Sequence, residues 1–421
     1  MIQTFSLLPG VTLRCFRDMR FKQSCLSLQF LRPMRREEAA LNALIPSILL
    51  RGCKSAPDLR DITLRLDDLY GASVGSLVRR VGDYQTTGLH CSFINDNYAM
   101  EPEGVLQPMA QFLRELLLEP VTQDGVFRAD YTESEKTNLI ATIDSLRNDK
   151  RAYASARLLR LMSGDDPFGI PRLGDREQVQ VITPESVYRH YQKVLREAPI
   201  ELFYVGNAEP DLVARLLTPI FSGLERSCIL LPAHTPFRTP PMGNLEERMD
   251  IAQGKLAVGF VTPITTGTDR FAAMQLCNMI LGGGMTSKLF TNVREKQSLC
   301  YDIHSGYHGV KGILTVGAGI DFDKKDTVLT QIHRQLDACR NGQITPEELN
   351  AAKQGLISGL RGVHDSPGAI ESYYSTGVLS GMDMTPEDYG KALSRVTVEE
   401  ISQAAQTLTL HTVFFLKGAQ A

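Results

Sequence analysis

A run of three glycines, followed by an arginine and a tyrosine, is the part of this chain whose residue types best suit chemistry. Residues 281–301 read LGGGMTSKLFTNVREKQSLCY. A phosphate-binding P-loop needs a glycine directly before its lysine and a hydroxyl residue directly after it. Here Ser287 precedes Lys288 and Leu289 follows it, so a nucleotide-binding loop is excluded. The long apolar segment before the glycines indicates a buried helix, and Gly282 is predicted to end that helix with a positive φ.

Arg294 and Tyr301 lie seven positions apart beyond the glycines. Arginine is always charged and donates hydrogen bonds in a fixed fork, and tyrosine adds a phenol donor. Such a pair can hold a peptide carbonyl and stabilise an oxyanion. The residues by themselves favour the plainer alternative, in which Arg294 is a surface helix residue and Tyr301 packs in a strand.

Other candidate sites have weaker patterns. His304 and His308 are four apart on a predicted strand, but a glycine at 306 interrupts the run, so hydrogen-bonded packing is favoured over a metal site. His90 is likewise interpreted as a strand residue. The 8 cysteines are scattered singly with no C-x-x-C pair, which argues against a zinc knuckle, a redox motif or a disulfide framework.

Composition limits the class of protein. A chain of 421 residues is long enough for two domains, and its net charge of -3 gives no reason to expect nucleic acid or a membrane surface as a partner. No segment reaches the roughly 18 continuous apolar residues of a membrane span. A cytoplasmic protein is therefore expected.

The elements that position these residues repeat along the chain. Each half shows strands, two helices, two more strands, a long helical region and a closing strand. Thr183 and Thr397 are each predicted to cap a helix that leads into that closing strand, and 397 minus 183 gives a repeat of 214 residues. The pattern predicts an α+β protein of two duplicated halves, each a mainly antiparallel sheet packed with helices. The predicted domains are 1–229 and 245–421, joined by a proline-bearing linker at 230–244.

At this point the chain resembles the pitrilysin/insulinase-type zinc peptidases (inverzincins), whose members are built from duplicated halves of this size. Active members carry His-x-x-Glu-His on the first helix after a strand pair. Aligned on Gly52, that motif falls on ALIPS at 43–47, which places Ala43 and Ser47 where the family has zinc-binding histidines and Pro46 where it has the catalytic glutamate. Because alanine and proline offer neither ligand nor acid and serine is a poor zinc ligand, the resemblance implies that this chain binds no metal.

The family's third ligand is a glutamate on a later helix, and the resemblance places Thr142 there. Glu133, Glu135 and Asp144 lie nearby. Without a histidine pair they are interpreted as a solvated helix face.

The family's other functional element is retained in sequence. Active members need an arginine and a tyrosine seven apart, as Arg294 and Tyr301 are. The non-catalytic subunit of mitochondrial processing peptidase has a glycine-rich loop in the preceding region, so Gly282, Gly283 and Gly284 are candidate substrate-binding residues. Their structural alternative is a helix cap and a close backbone approach.

The resemblance therefore implies a non-catalytic, zinc-less subunit of a heterodimeric peptidase. It would supply Arg294 and Tyr301 in trans to a paralogous partner that holds the zinc, and an unfolded peptide would be the substrate. The chain is expected to be inactive alone and to bind no cofactor itself, and a homodimer in the partner's absence stays open. The alternative is a structural or peptide-binding homologue with no part in catalysis.

Overall fold

The computed structural model describes residues 2–241 and 243–419. The first half contains these strands and helices: β1 Ile2–Leu8, β2 Val11–Arg17, β3 Gln23–Pro33, α1 Arg36–Leu49, α2 Leu59–Asp68, β4 Ser73–Val81, β5 Tyr84–Ile94, α3 Leu106–Leu118, β6 Thr122–Gln123, β7 Val126–Phe127, α4 Ala129–Ser145, α5 Lys150–Ser163, α6 Arg176–Gln180, α7 Pro184–Glu197, β8 Ile200–Gly206 and α8 Pro210–Leu217. The second half contains β9 Gly243–Met249, β10 Gly254–Val261, α9 Phe271–Asn278, β11 Asp302–His308, β12 Ile313–Ile320, α10 Lys325–Arg340, α11 Pro346–Gly362, α12 Pro367–Ser380, α13 Pro386–Arg395, α14 Val398–Gln406 and β13 Thr409–Gly418. Within those described residues, no helix is both long and apolar enough to cross a bilayer.

The two large sheets have the same topology. The first has the strand order β1-β2-β8-β3-β5-β4 and the second β11-β12-β10-β13-β9. Without β1, the first order matches the second read in reverse, and each sheet has one parallel pair, β2–β8 and β13–β9. The other neighbours are antiparallel. The predicted α+β fold of two duplicated halves is confirmed.

The chain forms two compact units whose composition does not follow the sequence halves. Unit 1 comprises the chain up to Asp144, Ile170–Ala233 and His364–Thr376. Unit 2 comprises Ser145–Gly169, His234–Val363 and the chain from Gly377 onward. The domain division at 230–244 stays a prediction.

Threonine caps begin the helix before the closing strand in both halves. The Thr183 side chain accepts a hydrogen bond from the Ser186 amide, and that of Thr397 from the Glu400 amide, each at 3.2 Å. A reciprocal bond completes each capping box, so two otherwise unpaired amides at each helix start are satisfied. The caps predicted from sequence are confirmed.

In unit 1, one sheet face carries the large apolar core with α1, α3 and α7. The segment His364–Thr376 places a charged side chain, Glu371, against strands β3 and β4. The fully buried carboxylate of Glu371 accepts hydrogen bonds from Ser27 Oγ and Gln29 Nε2 at 2.8 Å each and from both terminal nitrogens of Arg79 at 3.1 and 2.9 Å. Because a buried charge is tolerated only when it is paired and hydrogen-bonded, this set fixes α12 on β3 and β4.

In unit 2, both faces of the sheet are packed. One face carries the core formed with α9, α10 and α14. On the other, Leu158 and Met162 of α5 pack with Phe414 and Leu416 of β13. Apolar residues on both strand faces explain the continuous hydrophobic run in β13.

Candidate functional site

Arg294 and Tyr301 are held together by local backbone geometry. Arg294 lies in a π-helical turn, Phe290–Glu295, and Tyr301 directly precedes β11. The Nε of Arg294 donates to the main-chain oxygen of Tyr301 at 2.8 Å. Its guanidinium also lies 4.6 Å from the centre of the Phe290 ring and 3.1 Å from the Glu295 carboxylate. π-helical turns are rare and are often found at functional sites.

The chain between the two residues turns through a left-handed backbone conformation. Ser298 has φ of 49°, a region that costs a residue with a Cβ roughly 1–2 kcal/mol. The amide of Ser298 donates to the carbonyl of Arg294 at 3.1 Å. This turn lies between the π-helical segment and β11, the two elements whose ends carry the bonded pair Arg294 and Tyr301.

The Tyr301 ring is open to solvent. Its side chain is 64% exposed, and its hydroxyl lies 3.5 Å from Oδ1 of Asp321, a long separation for a hydrogen bond between oxygens. Lys324 pairs with the other oxygen of Asp321 at 2.7 Å. The hydrogen bond from Lys324 holds the pKa of Asp321 below its usual value.

These groups line one pocket of about 410 Å³ in unit 2. Its lining residues are Arg294, Glu295, Ser298, Leu299, Cys300, Tyr301, Asp321 and Lys324. Sequence reasoning missed Asp321 and Lys324. The signal available was their position directly after β12, the strand that pairs with β11.

The arrangement can bind an acceptor oxygen. Two of the three nitrogens of Arg294 already have partners within the chain, and the third can still donate. The exposed phenol supplies a second group that can meet a peptide carbonyl. Both suit a carbonyl more than a large anion, since Glu295 and Asp321 add negative charge beside them.

The three glycines lie elsewhere and are not among the lining residues of that pocket. Gly282 is buried in the π-helical turn Met279–Gly283, and its φ is not positive, so the predicted left-handed helix end is wrong. A Cβ at Gly282 would lie 2.8 Å from both the amide nitrogen and Oγ of Ser305 in β11. The close approach of two backbones is thus what requires glycine at this position. Gly283 is exposed and Gly284 is extended, with φ of -157°.

Lys288, the residue that suggested a phosphate loop, has a structural partner. It is buried, and its ammonium donates to both carboxylate oxygens of Glu348 at 2.8 Å. Glu348 also accepts from the Thr345 amide in the capping box that begins α11.

The positions where the family has zinc ligands share one cleft in unit 1. This α1 cleft has a volume of about 300 Å³ and is lined by Ala43, Leu44, Ser47, Ser76, Val78, Glu135, Asn138, Leu139, Thr142, Arg172 and Leu173. Ala43 and Ser47 come from one face of α1, as their spacing of four requires, and Thr142 comes from α4. Pro46 is buried inside α1, which continues beyond it.

The α1 cleft does not fit a zinc ion. Zinc sites use several cysteine, histidine or carboxylate ligands around one point. Within residues 2–241 and 243–419, no three such side chains are grouped so as to hold a metal. Glu135 is the acid in the cleft, and it is already paired with Arg51 at 3.3 Å.

Glu135 corrects the interpretation of α4 as a solvated acidic face. Its side chain is only 13% exposed, whereas Glu133 is 61% exposed and pairs with Lys136. The sequence signal was weak because Glu135 is distant in sequence from Arg51, and only the tertiary fold, in which α1 and α4 line the same cleft, brings the two together.

The three histidines considered in the sequence analysis, His90, His304 and His308, are packed side chains. Burial lowers the pKa of His304, whose Nδ1 has no hydrogen-bond partner among the residues that the structure describes. His308 makes an edge contact with Phe168, with ring centres 5.5 Å apart. His90 lies in β5 as predicted, with Nε2 3.1 Å from the thiol of Cys25.

Comparisons with known proteins identify chains of similar sequence. Residues 182–356 match the family model described as the peptidase M16 inactive domain. The chain is 29% identical to a probable inactive metalloprotease of Bacillus subtilis, over 98% of this chain and 96% of that protein.

Solved structures show the same fold over the whole chain. A conserved protein from Enterococcus faecalis is 29% identical, with a TM-score of 0.92 over 100% of this chain and 99% of that one. A peptidase M16 inactive domain from Pseudomonas fluorescens is 18% identical, with a TM-score of 0.82 over 99% and 98% of the two chains. The chain is therefore similar to inactive members of the M16 peptidase family, in sequence over residues 182–356 and in fold throughout.

Proposed function

We propose that this chain is the zinc-less subunit of a two-subunit cytoplasmic metallopeptidase. A paralogous partner supplies His-x-x-Glu-His, the zinc ion and the attacking water. This chain supplies Arg294 and Tyr301, which hold the carbonyl of an unfolded peptide and stabilise the oxyanion that forms on it. The single observation that carries the proposal is selective loss: the ligand positions around the α1 cleft hold no metal-binding side chains, while Arg294 and Tyr301 line one open pocket.

The contacts of the two side chains support these proposed roles. The Nε bond to the Tyr301 carbonyl and the Phe290 ring hold the Arg294 guanidinium in one orientation. Preorganised donors stabilise developing charge without reorganising during the reaction. The glycines at 282–284 end the π-helical turn Met279–Gly283, ahead of the segment that carries Arg294. The proposal includes a direct contact of Gly283 or Gly284 with the peptide.

The experiment combines the purified chain with a paralogue that carries His-x-x-Glu-His and measures cleavage of a quenched fluorescent peptide. The mixture should exceed the partner alone, and Arg294→Ala and Tyr301→Phe should lower kcat/KM by roughly 10²- to 10³-fold, the loss typical of a removed oxyanion donor. Arg361→Ala, at an exposed position in α11, is the matched control and should have no effect. Unchanged cleavage with Arg294→Ala would refute the catalytic role.

A structural role is the second candidate, and the contacts of Arg294 favour it specifically. Because its side chain already bonds the Tyr301 backbone, it can serve to fasten the turn before β11. That function predicts that Arg294→Ala lowers stability while the assembly with the partner and its activity persist. Thermal unfolding of the same variants separates the two candidates.

A further inference from the structure

We propose that the α1 cleft binds a carboxylate group of a peptide, either that of an acidic side chain or that of the peptide's own C-terminus. The inference rests on the proposed function only in taking a peptide as the ligand. It assigns to the altered ligand positions a binding role that requires no metal.

Arg172 provides the charge. Its Nη1 donates to the carbonyl of Val78 in β4 at 2.7 Å, which anchors the guanidinium beside the edge strand. The residue is exposed, and among the described residues no carboxylate lies within ion-pairing distance of it. The rest of its planar fork is therefore available to a carboxylate, the anion whose geometry it matches.

Two hydroxyl groups add donors. Ser47 and Ser76 line the same cleft, and neither side chain has a hydrogen-bond partner in the described parts of the chain. A serine hydroxyl can donate to either a carbonyl or a carboxylate. The donors of the cleft therefore call for an acceptor ligand.

The charge balance selects an anion. The one carboxylate in the cleft, Glu135, pairs with Arg51 at 3.3 Å and accepts from Asn138 Nδ2 at 3.3 Å. With Glu135 offset by Arg51, the guanidinium of Arg172 leaves one positive charge. A cationic side chain would meet that charge directly, whereas an anionic one neutralises it.

The cleft walls strengthen the interaction. Leu44, Val78, Leu139 and Leu173 supply apolar surface beside the donors. Such surface packs against the methylene groups of a glutamate and displaces water from the ion pair, which weakens the screening of its charge. Ala43 and Ser47 leave open the volume that imidazole rings would fill.

The test uses three fluorescent 12-residue peptides rich in glycine and serine. One carries a central glutamate and an amidated C-terminus, the second glutamine and an amidated C-terminus, and the third glutamine and a free C-terminus. Anisotropy titrations with the full chain should show either the first or the third binding about tenfold more tightly than the second, since hydrogen bonds to a charged group are worth that much. The peptide that binds more tightly than the second identifies whether the carboxylate comes from a side chain or from the C-terminus.

Substitutions then locate the site. Arg172→Met should abolish the preference for the carboxylate peptide, and Glu135→Gln should strengthen it by removing a like charge. Arg60→Met, an exposed arginine on α2 that does not line the cleft, is the control and should leave it unchanged. Circular dichroism verifies that each variant is folded.

The outcomes separate this inference from the proposed function. If peptides bind and depend on Arg294 but are indifferent to carboxylate and to Arg172→Met, the inference is overturned and the proposed function stands. If none of the three peptides binds, the inference is overturned as well, while cleavage with the paralogue still tests the proposed function. A carboxylate preference that survives Arg172→Met also overturns it.

Discussion

Replacement of Glu371 by alanine is expected to be among the most destabilising single changes in unit 1. The carboxylate has no solvent exposure and accepts four hydrogen bonds, from Ser27, Gln29 and twice from Arg79. Alanine removes both carboxylate oxygens at once and leaves a cavity in their place. Gln29 keeps a longer bond to Ser27 Oγ at 3.3 Å, and Arg79 keeps one to Ser375 Oγ at 3.1 Å. The segment that loses its anchor is the part of α12 packed on β3 and β4.

The magnitude follows from what is left behind. Ser27 and Gln29 are buried, and the loss of a charged acceptor costs each of these donors about 1–3 kcal/mol. Arg79 has a side chain 31% exposed, so water can partly solvate its charge and its share is discounted. The sum is about 3–5 kcal/mol, the range found when one partner of a buried ion pair is removed. Glu371→Gln retains one acceptor oxygen and should cost roughly half of that.

Urea denaturation of the full chain, followed by far-ultraviolet circular dichroism, measures the loss. The matched control is Lys391→Ala, which breaks the pair with Asp388, where both side chains are about 60% exposed (66% and 58%). That change should cost less than about 0.5 kcal/mol. A loss below 1 kcal/mol for Glu371→Ala would show that the buried network does not hold α12 on the sheet.

Three further predictions concern a strained turn, a buried base and the altered metal positions. Ser298→Gly should raise stability by about 1 kcal/mol because glycine accepts the positive φ without strain, whereas Ser222→Gly, where φ is -63°, should lower it; denaturation midpoints compare the two. His190 is buried against Asn42, and desolvation lowers its pKa from 6.5 to about 4. The unfolded chain therefore takes up a proton at a higher pH than the folded protein, so the contribution of neutral His190 to the free energy of unfolding is complete above pH 6.5 and is lost as pH falls towards 4. This loss should be absent from the pH–stability profile of His190→Gln. Restoring the ligands should create a site for one zinc ion, because the three ligand positions share the α1 cleft. Elemental analysis should find stoichiometric metal in the variant and none in the unmodified chain. A variant without stoichiometric metal would contradict the alignment. The restored variant carries Ala43→His, Pro46→Glu, Ser47→His and Thr142→Glu.

Several features of this protein were determined by local sequence. Thr183 and Thr397 each begin a helix because a threonine side chain satisfies an amide three residues on, a contact that needs no other part of the chain. The order of strands and helices, and hence the duplication, follows from apolar periodicity within each segment. The spacing of Ala43 and Ser47 places them on one helix face for the same local reason, and the identity of those residues is enough to remove zinc ligands.

Tertiary structure decided what depends on residues distant in the chain. Gly282 is glycine because Ser305 approaches it and not because a helix ends there. Glu135 is shielded by Arg51, although its own helix looks like a solvated acidic surface. Glu371 lies 344 residues from Ser27, and no periodic pattern relates the two. A buried charge is stable only when its hydrogen-bonding partners surround it, and those partners come together only when the sheets and helices pack. The cleft shared by Ala43, Ser47 and Thr142 depends on the same packing.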